Sequence, residues 1–467
     1  MSFNSIYFPI FLLIVGVLYF TSPRKAQNTI LLLSSFVFYG WWDWRFLFLM
    51  GGTIILNYHI GICIEEAKTK RSRNGYLLLS LLVCLGALAY FKYANFFADG
   101  FTRILNSAGL KADSVTLNVI LPVGISFYTF QALSYVIDIK RGAIKASRNL
   151  LDFALYVSFF PQLVAGPIER ASHFLPQVES ERPFQWRNLR IGAWLVLLGY
   201  FKKAVVADNC AVLANSVFNS PEEADGFLTM LGIYAFAFQI YGDFSGYSDI
   251  ARGLARWFGF DLMVNFRRPY FSKSPQDFWQ RWHISLSSWL RDYLYIPLGG
   301  NRKGAIRTYV NLAITMLLGG LWHGANYNFI LWGGYQGMLL IVHRFFARKN
   351  MFISLVSGSI SSILWTLAFF HATCVGWVLF RVNSVRDVPK LVSNLLNWDV
   401  ANLWYALPLA IYILPLLLLD SWFERSNGTN VLYTGPIWTR RILAFTLIIL
   451  LMIAGNWKSN EFIYFQF

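Results

Sequence analysis

Two histidines stand in apolar stretches of the chain that also carry tryptophan. His323 lies within "LLGGLWHGANYNFILWGG" (317–334) and His283 within "FWQRWHISLSSWLRDYLY" (278–295). A polar group in an apolar setting costs free energy unless it has a partner or a task. Acyl transfer to an alcohol is one such task. A hydroxyl is a poor nucleophile near neutral pH and needs a base within hydrogen-bond reach. Imidazole has an ordinary pKa of about 6.5, and burial favours its neutral, basic form. The oxyanion that develops during acyl transfer needs donors. A second histidine, Asn326 or backbone N–H groups would supply them. A thioester donor arrives already activated, so this chemistry calls for no metal and no nucleotide hydrolysis. Each histidine also has a purely structural reading. His323 would make a helix–helix hydrogen bond inside a membrane bundle, and His283 would be a satisfied interfacial histidine beside tryptophan. The local pattern fits both readings.

Other chemistries lack their parts. The sequence has no GxxxxGK[ST] phosphate loop, no HExxH zinc motif and no GxSxG elbow. Transport is the serious rival, because intramembrane acids mark ion paths. "QIYGDFSGYSDIARG" (239–253) puts Asp243 and Asp249 near the end of an apolar run, as a cation site would. The matching pair of broken helices typical of inverted-repeat transporters is not seen.

The element that must carry His283 spans 272–304. Ser274 is a helix cap, Pro275 suits the first helical position, and Asp277 stands three residues on, as in a capping box. Pro297 and Gly299-Gly300 end the segment. Between them Phe278, Trp282, Leu286, Trp289, Leu290 and Tyr293 form an apolar stripe, with Gln280, Arg281, Arg291 and Asp292 polar. The spacing predicts one amphipathic helix lying along an interface or lodged in the bundle, with His283 on one face with Trp279 and Ser287. The basic turn "GGNRKG" and an apolar run over 307–322 separate it from His323. A hairpin folding back over that distance would bring the two histidines together. Gly319, Gly320 and Gly324 allow close approach, which fits either tight helix packing or a narrow passage for a substrate chain.

The bulk numbers say where these elements live. Hydrophobic residues make up 56% of the 467, charged residues 14%, and mean hydropathy is +0.46. Soluble domains carry about 25% charged residues. The chain therefore reads as an all-α, multi-span integral membrane protein of about 11 to 13 membrane helices with re-entrant pieces. Its apolar runs begin near 5, 28, 46, 76, 119, 150, 188, 226, 307, 327, 356, 402 and 440, with polar loops at 171–190, 382–398 and 421–439. One integral domain covers 1–467, with a catalytic core over about 119–345. The net charge of +16 gathers in short breaks such as "SPRKAQ" and "EEAKTKRSRN". Two apolar runs separate those breaks, so both fall on one face, the cytoplasmic one, with the N-terminus outside. No basic–aromatic motif points to nucleic acid. The four scattered cysteines read as small buried hydrophobes, with no disulfide framework or metal site. The first apolar run lacks a basic leader and a small-residue cleavage site, and reads as a retained span.

At the histidines the chain resembles a known family. "FWQRWHISLSSWLRDYLYIPLGGNRKG" followed by "TMLLGGLWHGANYNFILWGGYQG" is similar to the membrane-bound O-acyltransferases, in the bacterial alginate O-acetyltransferase branch. "FVFYGWW" (36–42), "YFKYANFF" (90–97), "LPVGISFYTFQALSYVIDI" (121–139), "PQLVAGPIER" (161–170), "YFKKAVVAD" (200–208) and "YGDFSGYSDIARGL" (241–254) extend the resemblance over residues 1–385. It implies that His323 is the essential histidine, acting as base or acyl relay. It implies that His283 is the second polar site residue, orienting the donor or stabilising the oxyanion. The implied fold is a ring of tilted helices around a thinned centre with a tunnel. No bound cofactor is implied. Acetyl-CoA would be the cytoplasmic donor, and an exported polysaccharide, alginate or similar, the acceptor, reached directly or through periplasmic acetyltransferase partners. D-alanyl transfer, O-acyl transfer to peptidoglycan, or a polysaccharide or ion transporter is the alternative, and a bacterial inner membrane the implied location. Trp322, Asn326, Asp243, Tyr247 and Arg291 are candidate lining residues.

Overall fold

The computed structural model describes residues 1, 3–110, 120–348, 359–426, 428, 431–457 and 462–463. Positions 119 and 356, where two of the apolar runs begin, lie outside them. The regular elements among the described residues are all helices, with no strand among them. Among the described residues, seven helices are long and apolar enough to cross a membrane: Phe46–Glu66, Lys70–Ser107, Gly226–Trp257, Gly304–His323, Ile360–Arg381, Asn402–Arg425 and Ile437–Ala454. Tyr7–Thr21 is apolar but shorter. The remaining apolar runs fold as shorter, broken or more polar helices. This is an all-α, multi-span membrane protein.

Two compact units can be distinguished. The first comprises Met1–Gly192 with Leu254–Met263. Its helix Ile125–Arg141 begins after Gly124 and ends at Gly142, both left-handed (φ 75° and 73°), and is buried along most of its length. Gly61 lets the neighbouring helix approach it, since a Cβ there would fall 2.7 Å from the Tyr135 ring. In the stretch 161–170, Glu169 is wholly buried; it accepts from the Met263 N–H (2.5 Å) and faces His173 Nδ1 at 2.8 Å.

The second unit, Ala193–Gly253 with Val264–Phe467, contains both candidate histidines. Its helices cross at glycines. A Cβ on Gly320 would fall 2.1 Å from the Phe329 carbonyl oxygen, and one on Gly333 would fall 2.3 Å from that of Met316. Backbone oxygens cannot step aside as a side chain can, so these glycines set the spacing of the pair Gly304–His323 and Tyr327–Arg348. Gly324 packs on the Phe329 ring, 2.2 Å from where its Cβ would stand. Protein therefore fills the space beside Gly320 and Gly324, and of their two readings the structure selects helix packing.

Candidate active site

The segment carrying His283 departs from the single helix its spacing predicts. Ser274 caps as expected, its hydroxyl accepting from the Asp277 N–H at 3.2 Å, while Asp277 reaches back to the N–H of Lys273 (3.2 Å). The helix Pro275–Arg281 then stops. Trp282 is extended (φ −100°, ψ 127°) and His283 left-handed (φ 43°, ψ 54°) before a second short helix, Ile284–Leu290, which runs into a π-helix over Arg291–Tyr295. The break has a long-range cause. The N–H of Ile284 donates to the Asn265 carbonyl (2.9 Å), and the Arg281 carbonyl accepts from the Arg267 N–H (2.9 Å). These groups leave the helix ladder for a neighbouring extended segment, so tertiary pairing overrides local periodicity. Farther on, Gly299 and Gly300 turn the chain with positive φ (115° and 54°), as their positions predict.

His283 therefore does not share a helix face with Trp279 and Ser287. Its ring is fully buried, 4.6 Å from that of Phe244 and 5.9 Å from that of Trp322. Trp279 packs instead on Trp332 (6.0 Å), and the Ser287 hydroxyl donates to the Trp282 carbonyl (3.0 Å). A left-handed non-glycine residue costs of order 1 kcal/mol and persists where its surroundings over-determine it. Here they do. His283 Nδ1 lies 3.1 Å from Asn265 Oδ1, and that oxygen also accepts from the Ser285 N–H (3.2 Å) and hydroxyl (3.0 Å). All three residues are buried. Burial pushes the His283 imidazole down to about 3, so it is neutral at physiological pH.

His323 is the last residue of Gly304–His323 and is buried. Three aromatic rings enclose it at 5.0 to 5.3 Å: Trp322, Trp332 and Phe380. Trp322 thus touches both histidines, and the structure brings the two predicted residues into one aromatic enclosure.

The candidate lining residues divide. Tyr247 is buried against Phe462 (5.0 Å), whose ring also meets Phe244 beside His283. The far C-terminal end of the chain, only generically apolar as sequence, contributes to this wall. Asn326 is exposed, and its side chain accepts from the Asn328 N–H (3.3 Å) at the start of the next helix. The Arg291 side chain is 62% exposed and pairs with adjacent Asp292. Neither of these lines the enclosure. Asp243 is buried in an ion triad, 2.8 Å from Lys203 Nζ, which also lies 2.9 Å from Asp208. Asp249 pairs with Lys202 (2.7 Å) and Arg252 (3.3 Å). Lysines inside the protein thus answer the acids that suggested a cation site, and no metal-ligating cluster occurs among the described residues. Sequence reasoning missed Asn265 and the Lys202–Lys203 pair. Two lysines inside an apolar run were the available signal for the latter. The cysteines are free; three are buried and Cys63 is half-buried.

Two buried imidazoles thus meet one tryptophan in an aromatic enclosure of a helical membrane protein. Residues 140–385 match the family model of MBOAT, the membrane-bound O-acyltransferase family. The chain is 39% identical to a probable alginate O-acetylase, AlgI, of Pseudomonas putida over 495 residues, covering 100% of this chain and 99% of that protein. A probable alginate O-acetylase of Pseudomonas syringae is 42% identical over 86% of this chain and 76% of its own. A peptidoglycan O-acetyltransferase of Helicobacter pylori is 35% identical over 86% and 81%. The chain belongs to the membrane-bound O-acyltransferase family. It is an enzyme, an O-acetyltransferase.

Proposed function

We propose that the enzyme moves an acetyl group from a cytoplasmic thioester, acetyl-CoA, to hydroxyls of an exported polysaccharide such as alginate. The carrying observation is that His283 and His323 share Trp322 within one aromatic enclosure. The relatives named as alginate O-acetylases support the acceptor class.

His323 acts as the base or as an acyl relay. As base, it takes the hydroxyl proton while the oxygen attacks the thioester carbonyl. The C–O bond forms, the C–S bond breaks, and the proton returns to the leaving sulfur as CoA thiol. His283, neutral and held by Asn265, orients the reacting groups or stabilises the oxyanion. The aromatic walls exclude water, which strengthens each hydrogen bond made inside. A tunnel leading to this enclosure from both membrane faces lets donor and acceptor meet. The enzyme resides in a bacterial inner membrane, and periplasmic partner proteins complete delivery to the polymer. The transporter reading is weakened because Asp243 and Asp249 already hold lysines.

The test is incubation of the membrane-reconstituted enzyme with acetyl-labelled acetyl-CoA, with and without periplasmic partners, and with alginate, cellulose or peptidoglycan fragments. Label entering one polymer supports the reading and names the acceptor. Absence of CoA release from any acyl-CoA, in folded protein supplied with partners, overturns it.

A further inference from the structure

The proposed function leaves His283 with two roles, which require opposite ring nitrogens to carry the proton. An oxyanion stabiliser must donate into the site. A residue that orients a hydroxyl or takes its proton must accept there. The hydrogen bonds on the far side of the ring distinguish these.

The Asn265 amide has no rotational ambiguity. The backbone N–H of Ser285 is a donor only, so the Asn265 atom 3.2 Å from it is the oxygen. The opposite end agrees, since Nδ2 donates to the Ser248 hydroxyl at 3.3 Å. His283 Nδ1 stands 3.1 Å from that same oxygen. Two acceptors facing each other would repel, so Nδ1 carries the hydrogen. In a neutral imidazole the lone pair is then on Nε2. The backbone enforces the same arrangement. Ile284 N–H is bonded to the Asn265 carbonyl, and the left-handed turn at His283 fixes the ring's departure from the chain. Asn265, Ser248, His283 and Ser285 are all buried, so water does not compete for these bonds.

We propose that Asn265 is a positioning residue for the acyl transfer, locking His283 as the Nδ1–H tautomer so that Nε2 serves the site as a hydrogen-bond acceptor. This rests on the reading of His283 as a site residue. Under it, His283 orients the acceptor hydroxyl or the departing thiol, and the oxyanion is stabilised by other donors. Outer-shell partners that fix the ring of a metal-ligating histidine typically support activity by about 10- to 100-fold, and an effect of that order is expected for Asn265.

The test is nitrogen NMR on histidine-labelled, nanodisc-reconstituted full-length protein, with the His283 resonance identified by its loss in His283→Gln. The wild type is expected to show protonated Nδ1 and unprotonated Nε2. Asn265→Ala is expected to lose that preference and to lower kcat for thioester cleavage about 10- to 100-fold, with KM for acetyl-CoA changing far less. Asn265→Asp, whose carboxylate accepts from the same N–H, is expected to retain the tautomer. Protonated Nε2 in the wild type would overturn the proposal, as would an unchanged tautomer and unchanged kcat in Asn265→Ala. The wild-type spectrum decides the tautomer even if Asn265→Ala does not fold. A fully active His283→Gln would sink the underlying site reading separately, leaving the tautomer measurement intact.

Discussion

Lys203 holds its ammonium 2.8 Å from a carboxylate oxygen of Asp243, with both side chains buried. One cation thereby answers Asp243 and Asp208 together. Removing one partner of a buried ion pair strands the others, at a cost of about 3–5 kcal/mol. Lys203→Met should therefore lower thermal stability in detergent sharply, whereas Lys203→Arg should retain part of it. A Lys203→Met protein as stable as wild type would show that the triad is not what holds these helices.

Gly320 and Gly319 are neighbours in sequence with different surroundings. A Cβ on Gly320 meets the Phe329 carbonyl oxygen at 2.1 Å, while one on Gly319 meets only the end of the Leu290 side chain at 3.1 Å. Gly320→Ala should cost about 1–3 kcal/mol or more by forcing the helices apart. It should also impair turnover, since His323 lies three residues farther along the same helix. Gly319→Ala should cost under about 1 kcal/mol, because a flexible side chain can yield. Melting curves and thioester turnover for the two variants compare them directly.

The burial of His283 predicts a pH dependence. Its pKa is about 3 in the folded protein against an ordinary value near 6.5. Between those values the unfolded chain binds a proton that the folded one excludes. The associated stability is fully present above about pH 6.5 and is lost as pH falls towards 3, with about 2 kcal/mol gone at pH 5. Comparison of wild type with His283→Gln between pH 7 and pH 5 isolates this contribution. The wild type should lose more stability than the variant. Parallel curves would contradict neutral burial.

The class was legible because its signals were local. Long apolar runs announce membrane helices, Ser274 and Pro275 mark a helix start, and the stretches around His283 and His323 are long and specific. The break at Trp282–His283 was not legible. It depends on Asn265, 18 residues earlier, whose backbone takes over a hydrogen bond that the helix would otherwise make. Nothing in the apolar stripe of 278–293 records that competition. Asp243 misled for a related reason: its ion partner lies 40 residues upstream on a different element. Asn326 and Arg291 carried suitable chemistry, but exposure and local pairing take them out of the enclosure.

His323 is proposed to perform the acyl transfer. The direct measurement is CoA release from acetyl-CoA by the reconstituted enzyme, wild type beside His323→Ala and His323→Gln, with acceptor present and folding verified by melting curves. Loss of a general base lowers the rate by about 10²–10⁴-fold, and both variants should show that loss while remaining folded. Release at the wild-type rate in either variant would exclude that role for His323.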